Sequence, residues 1–571
     1  MNQLQKTALA SIINLILLGA SHAEAHDTAA LEKRIRDLET RLAKMDQLER
    51  RLELLDKAAS LANKPVSDPA SVPSPPSTVT QAEVDKINRK VNTLQRKLEV
   101  QDEVTTGALS KIPNFEAGAE GFKVTSTDKR HQLRIGGTLQ TDYKAFLDNA
   151  WTGTSVTTNP AGPDSVSLRQ ARITLDGYVY SDLYFKIMAD FAQTSSTSNL
   201  LPDAYLDYNY HPAASLLVGK FKPSISLERL QGDADTAFLE RGFPTNLAPN
   251  RDAGIQLHGG FGASGYKAER NPGPIDVKNA FTYQVGISEG TGDSGNAAGS
   301  GVPTNNNVTG SSSSISNGTT TTTTITSSSY ANDKEFDGRV FAQPFQHSGY
   351  AWLEGFGLGL AGSYSHPNNQ AINSQKTLLG QSTIVDYTQI DKNSISPNTK
   401  GFVTANGNSY RIYPQAFWYS GPFGLMGEYV ESTQTLNGSN VQNKFNNVSQ
   451  TNTAYQIQAS YVVTGEDNTF GGVKPMRIFD PFKGSWGALQ IAGRWSELTV
   501  DSNTFSILDR SKSVSKASAF TLGANWFLNK NALIRFDYEN VSFIGGAGKD
   551  SSHITNRPTE QILGTRFQLA F

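Results

Sequence analysis

The chain has 571 residues and a formal charge of −2, with 37% hydrophobic residues, 50 Gly, 20 Tyr, 28 Phe and no Cys. The missing cysteine excludes disulfides, thiolate metal sites and cysteine nucleophiles, and the lack of a strongly basic domain argues against a nucleic-acid partner. The composition is too polar for a helical membrane protein and too rich in Gly and aromatics for an ordinary soluble enzyme.

Residues 1–25 carry Lys6, an apolar run from Ala8 to Ala20 and the small-x-small triplet Ala23-Glu24-Ala25. This pattern predicts a secretory signal peptide cleaved after Ala25, because the run is shorter than the roughly 20 apolar residues a spanning helix needs. No later segment is a comparably long apolar run, so any membrane crossing must be made by strands.

Leu31, Ile35, Leu38, Leu42, Met45 and Leu52 follow a 3–4 spacing, as do Val84, Ile87, Val91, Leu94 and Leu98, with charged residues dense between them. The spacing predicts coiled-coil helices at 26–62 and 81–105, and a narrow apolar seam favours self-association. Between them, 63–80 holds Pro65, Pro69, Pro73, Pro75 and Pro76 and reads as an extended Pro/Ser-rich spacer.

From about residue 131 a period of two replaces the helical period. Leu133, Ile135, Leu139, Tyr143 and Leu147 share one face, while Gln132, Arg134, Gln140, Asp142 and Lys144 share the other. A long alternation with charge on its polar face fits a tilted strand with lipid outside and water inside. Candidate strands follow at 132–147, 166–180, 183–193, 202–210, 215–222, 253–261, 280–288 and 336–346. Eight more are expected at 356–366, 409–419, 423–432, 453–464, 485–500, 515–529, 531–543 and 559–571. The even total suits a closed barrel, and long odd-numbered gaps opposite short even-numbered ones suit external loops opposite periplasmic turns. The even gaps 262–279 and 465–484 are longer than this rule asks, implying elaborated turns or a missed hairpin. The Ser311–Ser314 and Thr319–Thr324 tracts predict a mobile external loop. The fold class is therefore all-β, a 16-stranded antiparallel transmembrane β-barrel over 112–571, preceded by a periplasmic α-helical coiled coil.

Several words in this region are specific. Asp203-Ala204-Tyr205-Leu206, Leu217-Val218-Gly219-Lys220-Phe221-Lys222-Pro223, Ser226-Leu227-Glu228-Arg229 and Phe238-Leu239-Glu240-Arg241 resemble the phosphate-selective porin O/P family. So do Thr464-Gly465-Glu466-Asp467, Val473-Lys474-Pro475, Ala524-Asn525-Trp526-Phe527-Leu528 and the final strand ending in Phe571. The resemblance implies a homotrimer of sixteen-stranded barrels in the outer membrane, each narrowed by a third external loop between Lys220 and Arg251. It also implies arginines and lysines that hand an anion from site to site. By the matching words, Arg169, Arg229 and Arg241 belong to that set. Gln170, where a second Arg is expected, and Gly232-Asp233, in place of small hydroxyl residues, depart from the pattern and weigh against tight phosphate selectivity.

Strand parity alone places Arg134, Lys144, Arg172, Lys186, Arg494, Arg535 and Arg566 on the lumen face, together with Asp142, Asp190, Asp203, Glu428, Asp537 and Glu539. The full candidate set for anion binding or pore lining adds Arg169, Lys220, Lys222, Arg229, Arg241 and Arg251. Some of these cations are expected simply to pair with the wall carboxylates. The eight His form no metal-ligand spacing, and no nucleophile elbow is present. No catalytic residues, metal or cofactor are expected. The reading is a passive outer-membrane porin for small anions such as phosphate or polyphosphate, with outer-membrane lipid as its surroundings. The alternatives are a general or sugar porin, and a structural tether whose coiled coil contacts peptidoglycan.

Overall fold

The computed structural model describes nine helical residues between Arg89 and Val100 and most of 112–571, apart from 148–163, 193–200, 275–276, 291–305, 317–318, 330–333, 369, 388–401, 440–443 and 551. The chain divides into two units, Met1–Gln101 and Asp102–Phe571. In the first, the described residues of the expected second coiled-coil helix are helical and exposed. The expected signal peptide, first coiled-coil segment and linker lie outside the described residues.

The second unit is a closed barrel. Its strands are β1 (Gln132–Phe146), β2 (Ser165–Val179), β3 (Leu183–Asp190), β4 (Asp203–His211), β5 (Ala214–Phe221), β6 (Asp252–Phe261), β7 (Phe281–Ser288) and β8 (Glu335–Ala342). The second half contains β9 (Phe356–Ser365), β10 (Phe402–Ser420), β11 (Phe423–Ser439), β12 (Lys444–Val462), β13 (Ala488–Thr499), β14 (Val514–Phe527), β15 (Ala532–Asp550) and β16 (Glu560–Ala570). Each pairs antiparallel with the next, and β16 pairs with β1 to close the ring. Closure matters because an open edge in lipid would leave backbone N–H and C=O groups without partners. Four shorter strands, Asn114–Gly118, Gly121–Thr125, Gln370–Ala371 and His553–Asn556, complete the 20-stranded sheet around this ring.

The expected alternation holds with the polarity of a soluble protein reversed. On β1, Leu139 is 46% exposed while Asp142 is fully buried; on β16, Phe567 is 56% exposed while Arg566 is 3% exposed. Apolar side chains face outward into lipid, and polar ones face a crowded interior. At the closing seam Arg566 stands opposite Asp142.

Strand existence matches the sequence expectation throughout, and the differences concern lengths and connections. β10, β11 and β12 run to 19, 17 and 19 residues, well beyond the roughly 9–11 that cross a bilayer, so they continue past the membrane. The Ser/Thr tract, expected as an external loop, contains strands. Asn306–Ser316 and Thr319–Ser329 pair as an antiparallel hairpin, since β-branched Thr suits extended backbone. Residues 465–484 form an elaborated turn carrying the two-residue strands Asn468–Thr469 and Gly472–Val473. Sequence reading also missed the leading hairpin, Asn114–Thr125, whose second strand pairs with the start of β1.

Gly219 on β5 opens the lumen loop. It adopts φ +133, and a Cβ there would stand 2.4 Å from the Ala204 carbonyl oxygen on β4. Gly219→Ala is expected to cost at least about 1–3 kcal/mol through backbone strain and displacement of β4. The urea midpoint for loss of the folded band in detergent should fall; an unchanged midpoint would contradict this placement.

Candidate functional site

The segment between β5 and β6 does not leave the barrel. It folds inward as a short helix, Leu227–Leu230, and a 3-10 turn, Phe243–Asn246. Ser226 caps the first, accepting a hydrogen bond from the Arg229 N–H. A segment in this position has few ladder partners, so its peptide groups must be satisfied by side chains.

The facing wall supplies them. On β15, Arg535 donates to the carbonyls of Thr236 and Phe238, the latter at 3.0 Å. On β16, Arg566 Nη1 donates to the Leu239 carbonyl at 2.8 Å, while Nε and Nη2 each reach Asp142 at 2.7 Å. On β13, Arg494 Nη1 donates to the Glu240 carbonyl at 2.8 Å, and its guanidinium lies 4.4 Å from the Phe238 ring centre. Wall carboxylates take the N–H groups: Asp537 from Leu239 at 2.7 Å and Glu428 from Leu227 at 2.8 Å. Within the loop, Glu228 accepts from the Gly242 N–H at 2.8 Å, and Gln456 Nε2 bridges Glu228 and Glu428 at 2.7 and 2.9 Å.

Arg494, Arg535 and Arg566 therefore face inward as parity places them but line neither cavity; the loop covers them. Lys220 is also buried and lines neither cavity. Lys144 Nζ donates to the Leu379 carbonyl at 2.7 Å, and the Leu379 N–H donates to Glu539 at 2.8 Å. These bonds draw in part of the β9–β10 loop, which sequence reading did not place inside. The apolar words Leu378-Leu379 and Ile384-Val385, buried here, were the available signal.

The other candidate cations line two cavities on either side of the loop. The external one, about 510 Å³, contains Arg169, Arg229, Arg241 and Lys376, with Glu240 as its one carboxylate among the described residues. Arg169 grips Glu240 through two bonds of 2.8 and 3.1 Å. Although burial pushes the Glu240 carboxyl up, Arg169, Arg566 and Lys144 outweigh it and hold the group at about 2. Arg229 donates to the Thr245 carbonyl. The periplasmic cavity, about 630 Å³, is lined by Arg134, Arg172, Lys186, Lys222 and Arg251. Here carboxylates nearly balance the cations. Arg134 pairs with Asp176 at 2.9 Å, and Arg251 and Lys186 share Asp203 at 2.6 and 3.4 Å.

Between the cavities sits Asp233, reached by Arg172 from β2, by Lys222 and Arg241 of the loop, and by Gln170. Burial alone would raise its carboxyl, but these cations together with Arg251 hold it well below the ordinary range. Apart from buried Lys220 and from Lys144, which bonds the β9–β10 loop, the candidate cations thus fall into three groups: clamps on the loop, an external cluster, and a periplasmic cluster joined to the external one at Asp233. Among the described residues no group of His, Asp and Glu could hold a metal ion.

A family model described as phosphate-selective porin O and P matches residues 134–571. Porin O of Pseudomonas aeruginosa is 22% identical over 436 residues, spanning 73% of this chain and 84% of that protein. Among solved structures, the outer membrane channel DcaP of Acinetobacter baumannii aligns over 77% of this chain and 97% of its own, at 11% identity and a TM-score of 0.43. The anion-selective porin from Comamonas acidovorans aligns over 77% and 100%, at 11% identity and a TM-score of 0.41.

Arg566→Gln would leave Asp142 buried without its cation and free the Leu239 carbonyl. Breaking such a buried pair is expected to cost about 3–5 kcal/mol and to loosen the loop. The variant should unfold at lower denaturant and show a larger, noisier single-channel conductance; wild-type values in both would contradict the clamp.

Proposed function

The chain belongs to the phosphate-selective porin O and P family, and from that premise we propose that this outer-membrane porin admits small anions, phosphate among them, by passive diffusion. It is a channel and not an enzyme, so the solute gradient supplies the energy. The observation that carries the anion reading is the external cavity, whose lining among the described residues has four cations and one carboxylate in a chain whose net charge is only −2.

An anion arriving from outside meets Arg169, Arg229, Arg241 and Lys376 first. A low-dielectric mouth lined by one sign of charge focuses the field and raises the local concentration of the opposite ion. Arg241 then leads to Arg172 and Lys222, and these to Arg251, Lys186 and Arg134 on the periplasmic side. Guanidinium groups suit this work because a planar fork of donors meets two oxyanion oxygens at once. Their partnership with Glu240, Asp176 and Asp203 keeps the wall rigid and limits how tightly any one position holds a solute. Passage requires that each position bind weakly enough to release. The family resemblance extends this reading to three barrels side by side.

Reversal potentials in planar bilayers under a KCl gradient test it. The account expects chloride preferred over potassium, most strongly at low salt, because screening shortens the reach of exposed charge to about 8 Å at physiological ionic strength. Potassium preference at low salt would overturn it.

A further inference from the structure

The contacts around Asp233 are those of a bound oxyanion. Arg172 Nη1 and Gln170 Nε2 donate to Oδ2, the latter at 3.3 Å. Arg241 Nη2 and Lys222 Nζ reach Oδ1 at 2.5 and 3.4 Å. The donors come from the wall strand β2 and from both flanks of the loop. Each cation has little other acid to satisfy it: Arg241 otherwise bonds the carbonyls of Glu228 and Gln231, and Lys222 that of Arg229. Arg172 has a second carboxylate, Asp190, at 2.7 Å, and Lys222 also feels the charge of Asp203. The carboxylate lines the periplasmic cavity, and Arg241, which holds it, lines the external one. The oxyanion in this cradle is part of the chain.

We propose that Asp233 is a resident counter-anion, a tethered carboxylate that occupies the anion cradle between the two cavities and that a travelling anion must displace. The inference rests on the anion-channel reading and deepens it, because Asp233 then determines how tightly the narrow passage holds its solute. A ligand tethered to its own site competes at a high effective concentration, in the millimolar range even for short flexible linkers. The tether here is stiffer, since the Asp235 N–H closes a turn onto the Gly232 carbonyl at 2.9 Å. With the carboxylate in place a free oxyanion gains only what it adds beyond an existing ion cluster. Without it, the Arg172, Arg241 and Lys222 cations and the Gln170 amide would each have a donor released toward the passage, with Asp190 the one carboxylate still directly paired to them, an arrangement that suits a multivalent oxyanion.

The alternative role for the same contacts is a staple that fixes the loop to β2. The two roles separate experimentally. Loss of a staple loosens the loop and enlarges the conductance without raising affinity for oxyanions. Loss of a counter-anion raises that affinity, whatever it does to the unblocked conductance.

The test uses the full chain in planar bilayers, with chloride current titrated by inorganic phosphate. Asp233→Asn removes the charge at constant size, Asp233→Ser removes charge and bulk, and Asp233→Glu keeps the charge. The two neutral variants are expected to be half-blocked by roughly tenfold less phosphate than wild type, equivalent to about 1.4 kcal/mol. They should also prefer chloride over potassium more strongly, and Asp233→Glu should stay near wild type. Neutral variants that conduct with an unchanged half-blocking concentration, or that show only a larger conductance, would overturn the proposal. Failure of both neutral variants to form channels would assign the carboxylate to assembly and overturn it equally. Potassium preference in the wild type sinks the anion-channel reading itself, whereas an anion-preferring wild type with unresponsive variants sinks this inference alone.

Discussion

A peptide segment folded into the lumen of a closed barrel cannot use the wall's backbone, because every wall N–H and C=O within the ladder is already bonded to a neighbouring strand. Its own peptide groups must instead be met by side chains, and burying them unmet costs on the order of 1–3 kcal/mol each. Here much of that requirement falls on three arginines, with wall amides such as Asn525, Gln415 and Gln568 meeting further loop carbonyls. Arg535, Arg566 and Arg494, on three of the last four strands, reach the carbonyls of Thr236 and Phe238, of Leu239, and of Glu240 in turn. Asp537 and Glu428 take the opposing N–H groups. Buried charges are costly unless paired and hydrogen-bonded. Arg566 meets that condition by holding Asp142 across the closing seam, so one side chain joins barrel closure to loop position.

This division of labour makes the interior asymmetric. The wall from β13 to β16 is committed to the loop, and its arginines Arg494, Arg535 and Arg566 are buried beneath it. The route is left to cations on β1, β2 and β3, to those on the loop itself, and to Lys376 at the external mouth. Along that route the carboxylates are unevenly spread: one faces four cations outside, while near balance prevails on the periplasmic side. On the proposed anion reading, the field would therefore be strongest where an anion is first captured and weaker where it must leave. Such a gradient favours throughput over retention, in keeping with the acid pairing that restrains nearly every guanidinium.

How much of this the residues announced depends on the range of the contacts. Lipid outside and water inside impose a period of two on every strand, so all sixteen could be read from local alternation. Exact ends were less legible on β10 to β12, which outrun the membrane where the alternation no longer has lipid to answer to. Parity also reported which way a side chain points, but not what stands in front of it. Arg172 and Arg535 are alike by alternation, yet one borders a cavity and the other is sealed under the loop. That difference rests on contacts between residues hundreds of positions apart, such as Arg535 with Thr236, which no local pattern encodes. The loop's location came from family words, and the departure at Asp233 marked the position where three cations converge. The inward fold of 375–387 was signalled only by a few apolar residues in a polar stretch, and the leading hairpin was too short to stand out.

The central claim is that the segment between β5 and β6 is held inside the barrel against β16. Gln568 Nε2 on that strand donates to the Ala234 carbonyl at 3.0 Å, and the chain has no cysteine of its own. A cysteine pair at Ala234 and Gln568 can therefore be bridged by a short bifunctional thiol reagent without competing sites. The account predicts rapid bridging in the folded channel with the open-channel conductance unchanged, because the reagent fastens what is already in place. Failure to bridge, or bridging only with a stepwise fall in conductance, would mean that the loop rests elsewhere and would contradict it.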